Sequence, residues 1–313
     1  MAYETIVYRA GAHRATITLN RPRELNAIRP PMPEEIEQAI GVANADANVR
    51  VIVLRGAGRA FCAGFDFSAG LAHLSGWGLT SSAERWDPGH DMLTTTSPFA
   101  SPIHKLASVW RSPKPVIAQV HGWCVGGGSD LALCADLVIA ADDARFGTPY
   151  SRVWGCYLTG MWIYRLGLTR VKQLALTGDA IDGREAERIG LVNKAVPASR
   201  LEEEVDAWAS RLARIPVSQL AAMKLVVNQA YDNMGLRTTQ LMGALLDGAM
   251  RHTPEALAFV ALAADKGVPA AVAERDRPFG DYSQERAAAA RSTPRTRNGP
   301  RGGARKPRRN QSA

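Results

Sequence analysis

Residues 115–140 constrain most tightly what this chain can fold into. Residues 115–120, PVIAQV, are an apolar, β-branched run that reads as a buried strand. Three consecutive glycines follow at 126–128, and then an apolar, helix-like stretch with one early acid, Asp130. A strand, a glycine turn and a helix start leave backbone N–H groups unpaired and pointing outward. Such groups can hold a developing negative charge. Asp130 lies three residues past Gly127, close to one helical turn, so it is expected beside whatever those amides hold. An acid in a first helical turn offsets the helix dipole, which predicts a lowered pKa.

An earlier stretch has the same design. Val49 to Gly56 is a near-continuous apolar run, the pattern of a strand buried on both faces. The glycine-containing turn 58–66 follows it. Two such units, 49–66 and 115–130, could bring two turns to one ligand atom. Around them the pattern predicts strands at 4–9 and 14–19, a helix opened by Pro33, and a helix from Ile103 to Trp110. Residues 70–100, rich in Gly, Ser, Thr and Pro, read as a mobile lid or an insertion. Further strands are expected at 136–140 and 191–196, with helices near 160–166, 170–177 and 183–189. Amphipathic helices follow at 199–213, 217–231, 235–251 and 254–265. The chain alternates β and α early and is helical late, an α/β core with a helical C-terminal part. The expected divisions are a core over 1–195, a helical region over 196–288 and a tail over 289–313.

The net charge of +8 sits in that tail. From Arg291 onward there are eight basic residues and no acid, which leaves the preceding residues formally neutral. The body is therefore no basic nucleic-acid-binding domain. The tail is rich in Arg, Pro, Gly, Ser and Asn, has no large apolar residue, and is expected to be disordered. Any RNA or acidic surface would be bound weakly, through the tail alone. The start of the chain enters a strand-like pattern at once and does not read as a secretory signal. No apolar run is long enough to span a bilayer. Cys62, Cys124, Cys134 and Cys156 form no Cys-x-x-Cys pair and are expected as reduced thiols of a cytoplasmic protein.

Other glycine and histidine chemistries find no matching pattern. There is no Walker-type loop and no Gly-x-Gly-x-x-Gly opening a βαβ unit. A Gly-x-Ser-x-Gly elbow is also absent, and no pair of histidines has metal-ligand spacing. What remains is an oxyanion site, in which two N–H donors steady an enolate or tetrahedral oxygen while a nearby acid moves a proton.

At this point the motifs resemble those of the crotonase, or enoyl-CoA hydratase/isomerase, family. The matching residues are LNRP at 19–22 followed by Asn26 and Ala27, VIVLRG at 51–56, RAFCAGFD at 59–66 and PKPVIA at 113–118. They continue with HGWCVGGG at 121–128, CAD at 134–136, Phe146 and Gly147, LTGD at 176–179, and Ala186 with Gly190. The match covers roughly residues 4–265 in the family's order. It implies a spiral core of ββα turns, a helical C-terminal region used for trimerisation, and an acyl-CoA substrate of fatty-acid type metabolism, with coenzyme A entering only as part of the substrate. Trimers could pair into hexamers. The two oxyanion donors fall on the amides of Phe65 and Gly127.

The resemblance implies two glutamates flanking the substrate double bond in true hydratases. Here the first falls at Asp130 and the second at Tyr150, a weak base at neutral pH. Arg23 and Arg59 match positions that touch CoA, and Ala63, Asp66 and Trp154 fall along the substrate's path, with Asp66 expected to hold its turn. Arg152 is expected near the acyl pocket. Reversible hydration of a 2-enoyl-CoA is the default reaction. A double-bond shift using one acid/base, or thioester binding without catalysis, are the alternatives.

Overall fold

The computed structural model describes residues 2–68, 72–80, 86–280 and 282. The basic tail and its expected disorder lie outside the described residues. Strands β1 (Ile6–Gly11) and β2 (Arg14–Leu19) form an antiparallel hairpin that pairs Ile6 with Leu19. Its two connecting residues, Ala12 and His13, both have positive φ, at 49° and 64°. That is the twist a two-residue hairpin loop demands.

Each long strand that follows is continued by a short one. β3 (Val51–Gly56) runs into β4 (Ala60–Cys62), β5 (Val116–Val120) into β6 (Trp123–Val125), and β7 (Leu137–Ala141) into β8 (Arg145–Gly147). β9 (Ile181–Asp182) and β10 (Lys194–Val196) complete the described strands. The long strands and the short β10 make a six-stranded sheet in the order β1-β2-β3-β5-β7-β10, parallel except for the first hairpin. The other short ones make a second sheet in the order β9-β8-β6-β4. The repeated step from one sheet to the other is the spiral core of the α/β fold that the sequence implied.

Helices cover the sheets. α1 (Met32–Ala45) buries Ile36, Ala39, Ile40 and Ala43 on one face. Between β3 and β5 lie α2 (Pro88–Thr96), α3 (Pro102–Leu106) and α4 (Ser108–Arg111). α5 (Gly127–Leu133) follows the glycine turn. α6 (Met161–Arg165), α7 (Leu168–Thr177) and α8 (Gly183–Arg188) precede β10. From there the described chain is helical: α9 (Leu201–Leu212), α10 (Val217–Asn233), α11 (Leu236–Met250), α12 (Pro254–Lys266) and α13 (Val268–Asp276).

Within the stretch 70–100, expected as a mobile lid or an insertion, the described residues include α2, capped by Asp87 accepting from the amide of His90. α2 docks on α11 through Asp91 and Arg251, 2.8 Å apart with both side chains buried. Few apolar residues hold this contact, so no helical periodicity announced it. The short strands β4, β6 and β8 were not expected as strands, and β4 falls within the stretch 58–66 expected as a turn. Three residues are too few to display an alternation.

No described helix is long and apolar enough to cross a membrane. Among the described residues no cluster of His, Cys, Asp or Glu could hold a metal ion. All four cysteines are free thiols, with Cys62 facing Cys124 across β4 and β6.

Candidate active site

The parallel pairing of β4 with β6 explains why two turns meet. Cys62 stands opposite Cys124, and three residues beyond each come Phe65 and Gly127. The residues just before them, Gly64 and Gly126, have φ of 95° and 52°, a left-handed backbone that disfavours side chains. Around Phe65, Ile28 donates to the Gly64 carbonyl at 2.8 Å and Asp66 donates to the Ile28 carbonyl at 3.0 Å. Successive amides along an extended chain alternate in direction, so the Phe65 N–H points away from that bridge. Gly127 opens α5, so its N–H has no partner within the helix. Neither amide meets an acceptor among the described residues.

Close packing holds the two turns together. A Cβ on Gly127 would sit 2.6 Å from the Phe65 ring, and one on Gly128 would sit 2.3 Å from the Cys62 carbonyl oxygen. The Phe65 ring itself lies edge-on to Trp77, with centroids 6.0 Å apart. Both turns open on a cavity of about 670 Å³, a size suited to a small-molecule ligand. Arg23, Arg59, Ala63, Phe65, Asp66, Gly127, Tyr150 and Trp154 all line it.

Asp130 does not. It is 1 % exposed, and the Tyr150 side chain stands between it and the cavity. The Tyr150 hydroxyl donates to Asp130 Oδ2 at 2.7 Å, while Oδ1 accepts from the Thr159 hydroxyl at 2.9 Å and the Thr159 amide at 3.2 Å. The expectation of an acid lying directly beside the amides is therefore corrected: the carboxylate sits one layer deeper and reaches the cavity through a phenol. Its expected low pKa is corrected as well. Burial pushes it up to about 6, against the opposing hydrogen bonds from Tyr150 and Thr159. The helix-dipole argument underweighted the desolvation of a fully enclosed carboxylate. Burial, and then the adjacent Asp130, hold the Tyr150 phenol well above its ordinary value. The Tyr150 ring is also close to the glycine turn, its hydroxyl 3.8 Å from where a Cβ of Gly126 would be.

At the mouth, Gly58 packs against Pro22, which sets the turns carrying Arg59 and Arg23 side by side. Both arginines are exposed and neither has an ion-pair partner among the described residues. Asp66 accepts from Arg21 at 2.8 Å and from the amide of Ser68 at 2.9 Å. Burial would raise its pKa, but these bonds outweigh it and hold the carboxyl below its ordinary value. Asp66 therefore braces its own turn.

Trp154 forms the inner wall with Phe67 and Phe259, in edge-to-face contacts. Arg152 is not part of that wall. It is buried in ion pairs with Asp179 and Asp276, both at 3.1 Å. Trp162, which is fully buried, belongs to the core. The sequence reading missed Asp247 and Arg251, which line the cavity from α11. A carboxylate and a guanidinium one turn apart on an amphipathic helix look like an ordinary surface pair.

Two amides without acceptors among the described residues thus stand near a buried carboxyl–phenol pair, in a cavity with exposed arginines at its mouth. The family profile described as enoyl-CoA hydratase/isomerase matches residues 10–253. A Rhodobacter capsulatus protein named "Probable enoyl-CoA hydratase" is 35% identical over 236 residues, spanning 74% of this chain and 84% of its own. Among solved structures, an enoyl-CoA hydratase from Mycobacterium smegmatis superposes with a TM-score of 0.82 at 39% identity, covering 90% of this chain and 96% of that one. An enoyl-CoA hydratase/isomerase from Xanthobacter autotrophicus gives 0.75 at 31% identity, covering 89% and 99%. The chain belongs to the enoyl-CoA hydratase/isomerase family, the crotonase family, and is an enzyme of that family.

Proposed function

We propose that this enzyme hydrates 2-enoyl-CoA thioesters reversibly, holding the thioester oxygen on the amides of Phe65 and Gly127. The observation that carries the reading is the pair of partnerless amides beside the Tyr150–Asp130 hydrogen bond. Arg23 and Arg59, without ion-pair partners among the described residues, suit the phosphates of CoA.

The Tyr150 hydroxyl spends its proton on Asp130, so its lone pairs are left to accept from a water in the cavity. As that water's oxygen bonds to the β-carbon, its proton passes to the Tyr150 oxygen while the phenol proton passes to Asp130. Negative charge then rests on the thioester oxygen between the two amides. The enolate collapses as the α-carbon takes a proton back along the same route. The sum is one water added, with Asp130 and Tyr150 returned to their starting states. A carboxyl with a pKa of about 6 is suited to both directions of this transfer.

One observation favours a second reading. Tyr150 is hydrogen-bonded to one carboxylate, and a single relay can also take a proton from one carbon and return it to another, shifting a double bond. Crotonyl-CoA and a 3-enoyl-CoA separate the two. Loss of enone absorbance with crotonyl-CoA supports hydration, and conversion of the 3-enoyl to the 2-enoyl thioester alone supports isomerisation. Failure to turn over either class would overturn the proposal.

The exposed apolar residues of α10 and α11 support a homotrimer, or a hexamer of paired trimers. α10 has no buried residue, and its exposed Met223, Val226 and Val227 share one face, with exposed Met234 at its C-cap. Folded monomers seldom leave such a stripe to water.

A further inference from the structure

Asp247 lines the cavity and takes no part in the proton relay. Asp247 on α11 and Arg251, which caps that helix one turn later, line the same space as Tyr150 and Trp154. Arg251 donates to Asp247 Oδ2 at 3.1 Å and to Asp91 Oδ2 at 2.8 Å. Asp91 is itself fixed by the Thr80 amide at 2.6 Å and the Trp86 indole at 3.3 Å. Burial alone would raise the Asp91 pKa, but Thr80 and Arg251 outweigh it, so it remains a firm anion. Arg251 is thereby gripped from two sides and holds Asp247 in one orientation. Asp247 Oδ1 has no donor among the described residues.

Position decides what this oxygen would meet. The cationic mouth is built from the turns around Pro22 and Gly58. Asp247 comes instead from α11, whose Gly243 packs against the Tyr157 carbonyl, beside the segment that carries Trp154 and Leu158. That is the acyl side of the free amides. A purely alkyl group pressed there would strip water from Oδ1 and leave a carboxylate oxygen unpaired, which is strongly disfavoured. A neutral hydroxyl would supply the missing donor without bringing a second charge among Trp77, Leu79 and Trp154.

We propose that Asp247 is a specificity-determining residue that accepts a hydrogen bond from a hydroxyl on the acyl group of the thioester. This rests on the acyl-CoA reading above. Sites built to hydrogen-bond a substrate hydroxyl discriminate strongly against the analogue lacking it.

The test uses the full-length enzyme and a panel of short-chain, medium-chain and aryl 2-enoyl-CoA thioesters, each paired with its ring- or ω-hydroxylated counterpart. The expected result is at least one pair in which kcat/KM favours the hydroxylated member by about tenfold or more. That ratio should collapse towards unity in Asp247→Leu and be partly retained in Asp247→Asn, which keeps an acceptor oxygen. Turnover of the panel with no such preference in the wild-type enzyme overturns the inference, whatever the variants do. A preference that survives in Asp247→Leu, or in Asp247→Asn where the leucine variant does not fold, overturns it too. Failure of every thioester to bind or react would sink the acyl-CoA reading itself, and this inference with it.

Discussion

The Tyr150 hydroxyl donates to Asp130 Oδ2 at 2.7 Å, so the buried acid of this site meets the cavity only through a phenol. In the proposed hydration the two residues act as one unit. Tyr150→Phe leaves Asp130 intact but severs it from the cavity, and Asp130→Asn leaves the phenol without a base. Each should lower kcat for crotonyl-CoA hydration by about 10²–10⁴-fold, and the double variant should lose little more than either single one. Stopped-flow or steady-state absorbance checks this. Additive losses would mean that the two act separately.

Activity should depend on pH through Asp130. Only the ionised carboxylate can take the relayed proton, so kcat/KM should rise through about pH 6 and then level off. Stability should move the opposite way. The carboxyl's folded-state pKa lies above its unfolded value near 4, so the native state binds the extra proton in that window. Its contribution is full below about pH 4 and is lost as pH rises through about 6. Asp130→Asn cannot ionise, so it should gain about 2–3 kcal/mol relative to wild type between pH 4 and 7. Denaturant titrations at the two pH values measure this difference.

Much of this site was legible in the chain because it is written in backbone. Gly64 and Gly126–Gly128 announce turns whose amides are free, and the apolar runs 51–56 and 116–120 announce the strands that carry them. The alternation of those elements gave an α/β core, and the family resemblance implied its spiral form. What was hidden depends on burial and on contacts distant in sequence. Whether Asp130 faces a ligand or a tyrosine is decided by Tyr150 and Thr159, twenty or more residues away. Arg152 looked like a pocket residue because its neighbour Trp154 is one. Its partner Asp276 is on α13, which showed no readable pattern. Asp247 was invisible for the same reason, since its value comes from Asp91 on a helix that itself went unread.

The glycines at the turn can be tested without removing an amide. Gly127→Ala places a methyl 2.6 Å from the Phe65 ring, which Trp77 restrains from the side. Either the ring or the turn must move, and the two donor amides lose their common focus. The expected result is a fall in kcat of about 10²-fold with a much smaller change in KM, because the oxygen gains most of its charge after binding. An equal loss in thioester affinity would instead show that the amides serve the ground state.

Arg152 ties the end of the described chain to the site. Its guanidinium pairs with Asp276, whose side chain is fully buried, and donates to the Thr177 carbonyl at 3.0 Å. α12 and α13 supply the cavity wall at Phe259 and Val272. Arg152→Met leaves Asp276 with Arg275 as its ion-pair partner among the described residues, and should cost about 3 kcal/mol of stability. Thioester affinity should fall with it as the wall loosens, read by thermal melts and by titration of a saturated acyl-CoA. Unchanged affinity would mean the wall is held by Trp154 and Phe259 without the latch.

α10 is anchored by polar contacts and by Tyr231, whose ring stands edge-on to Trp110 and Tyr164. Lys224 pairs with Asp136 at 2.7 Å and Asn228 donates to the Trp110 carbonyl at 3.0 Å, yet no residue of the helix is buried. Val226 is 68% exposed in the single chain and lies on the face shared with Met223 and Val227. A glutamate there would be nearly neutral for an isolated chain, since surface substitutions usually shift stability by less than about 0.5 kcal/mol. In an assembly that covers this face it would bury an unpaired charge. Val226→Glu should therefore shift the sedimenting species from trimer or hexamer to monomer while leaving the far-ultraviolet circular dichroism unchanged. An assembly that persists in this variant would place the contact between copies on another surface and leave the α10 stripe without its proposed cover.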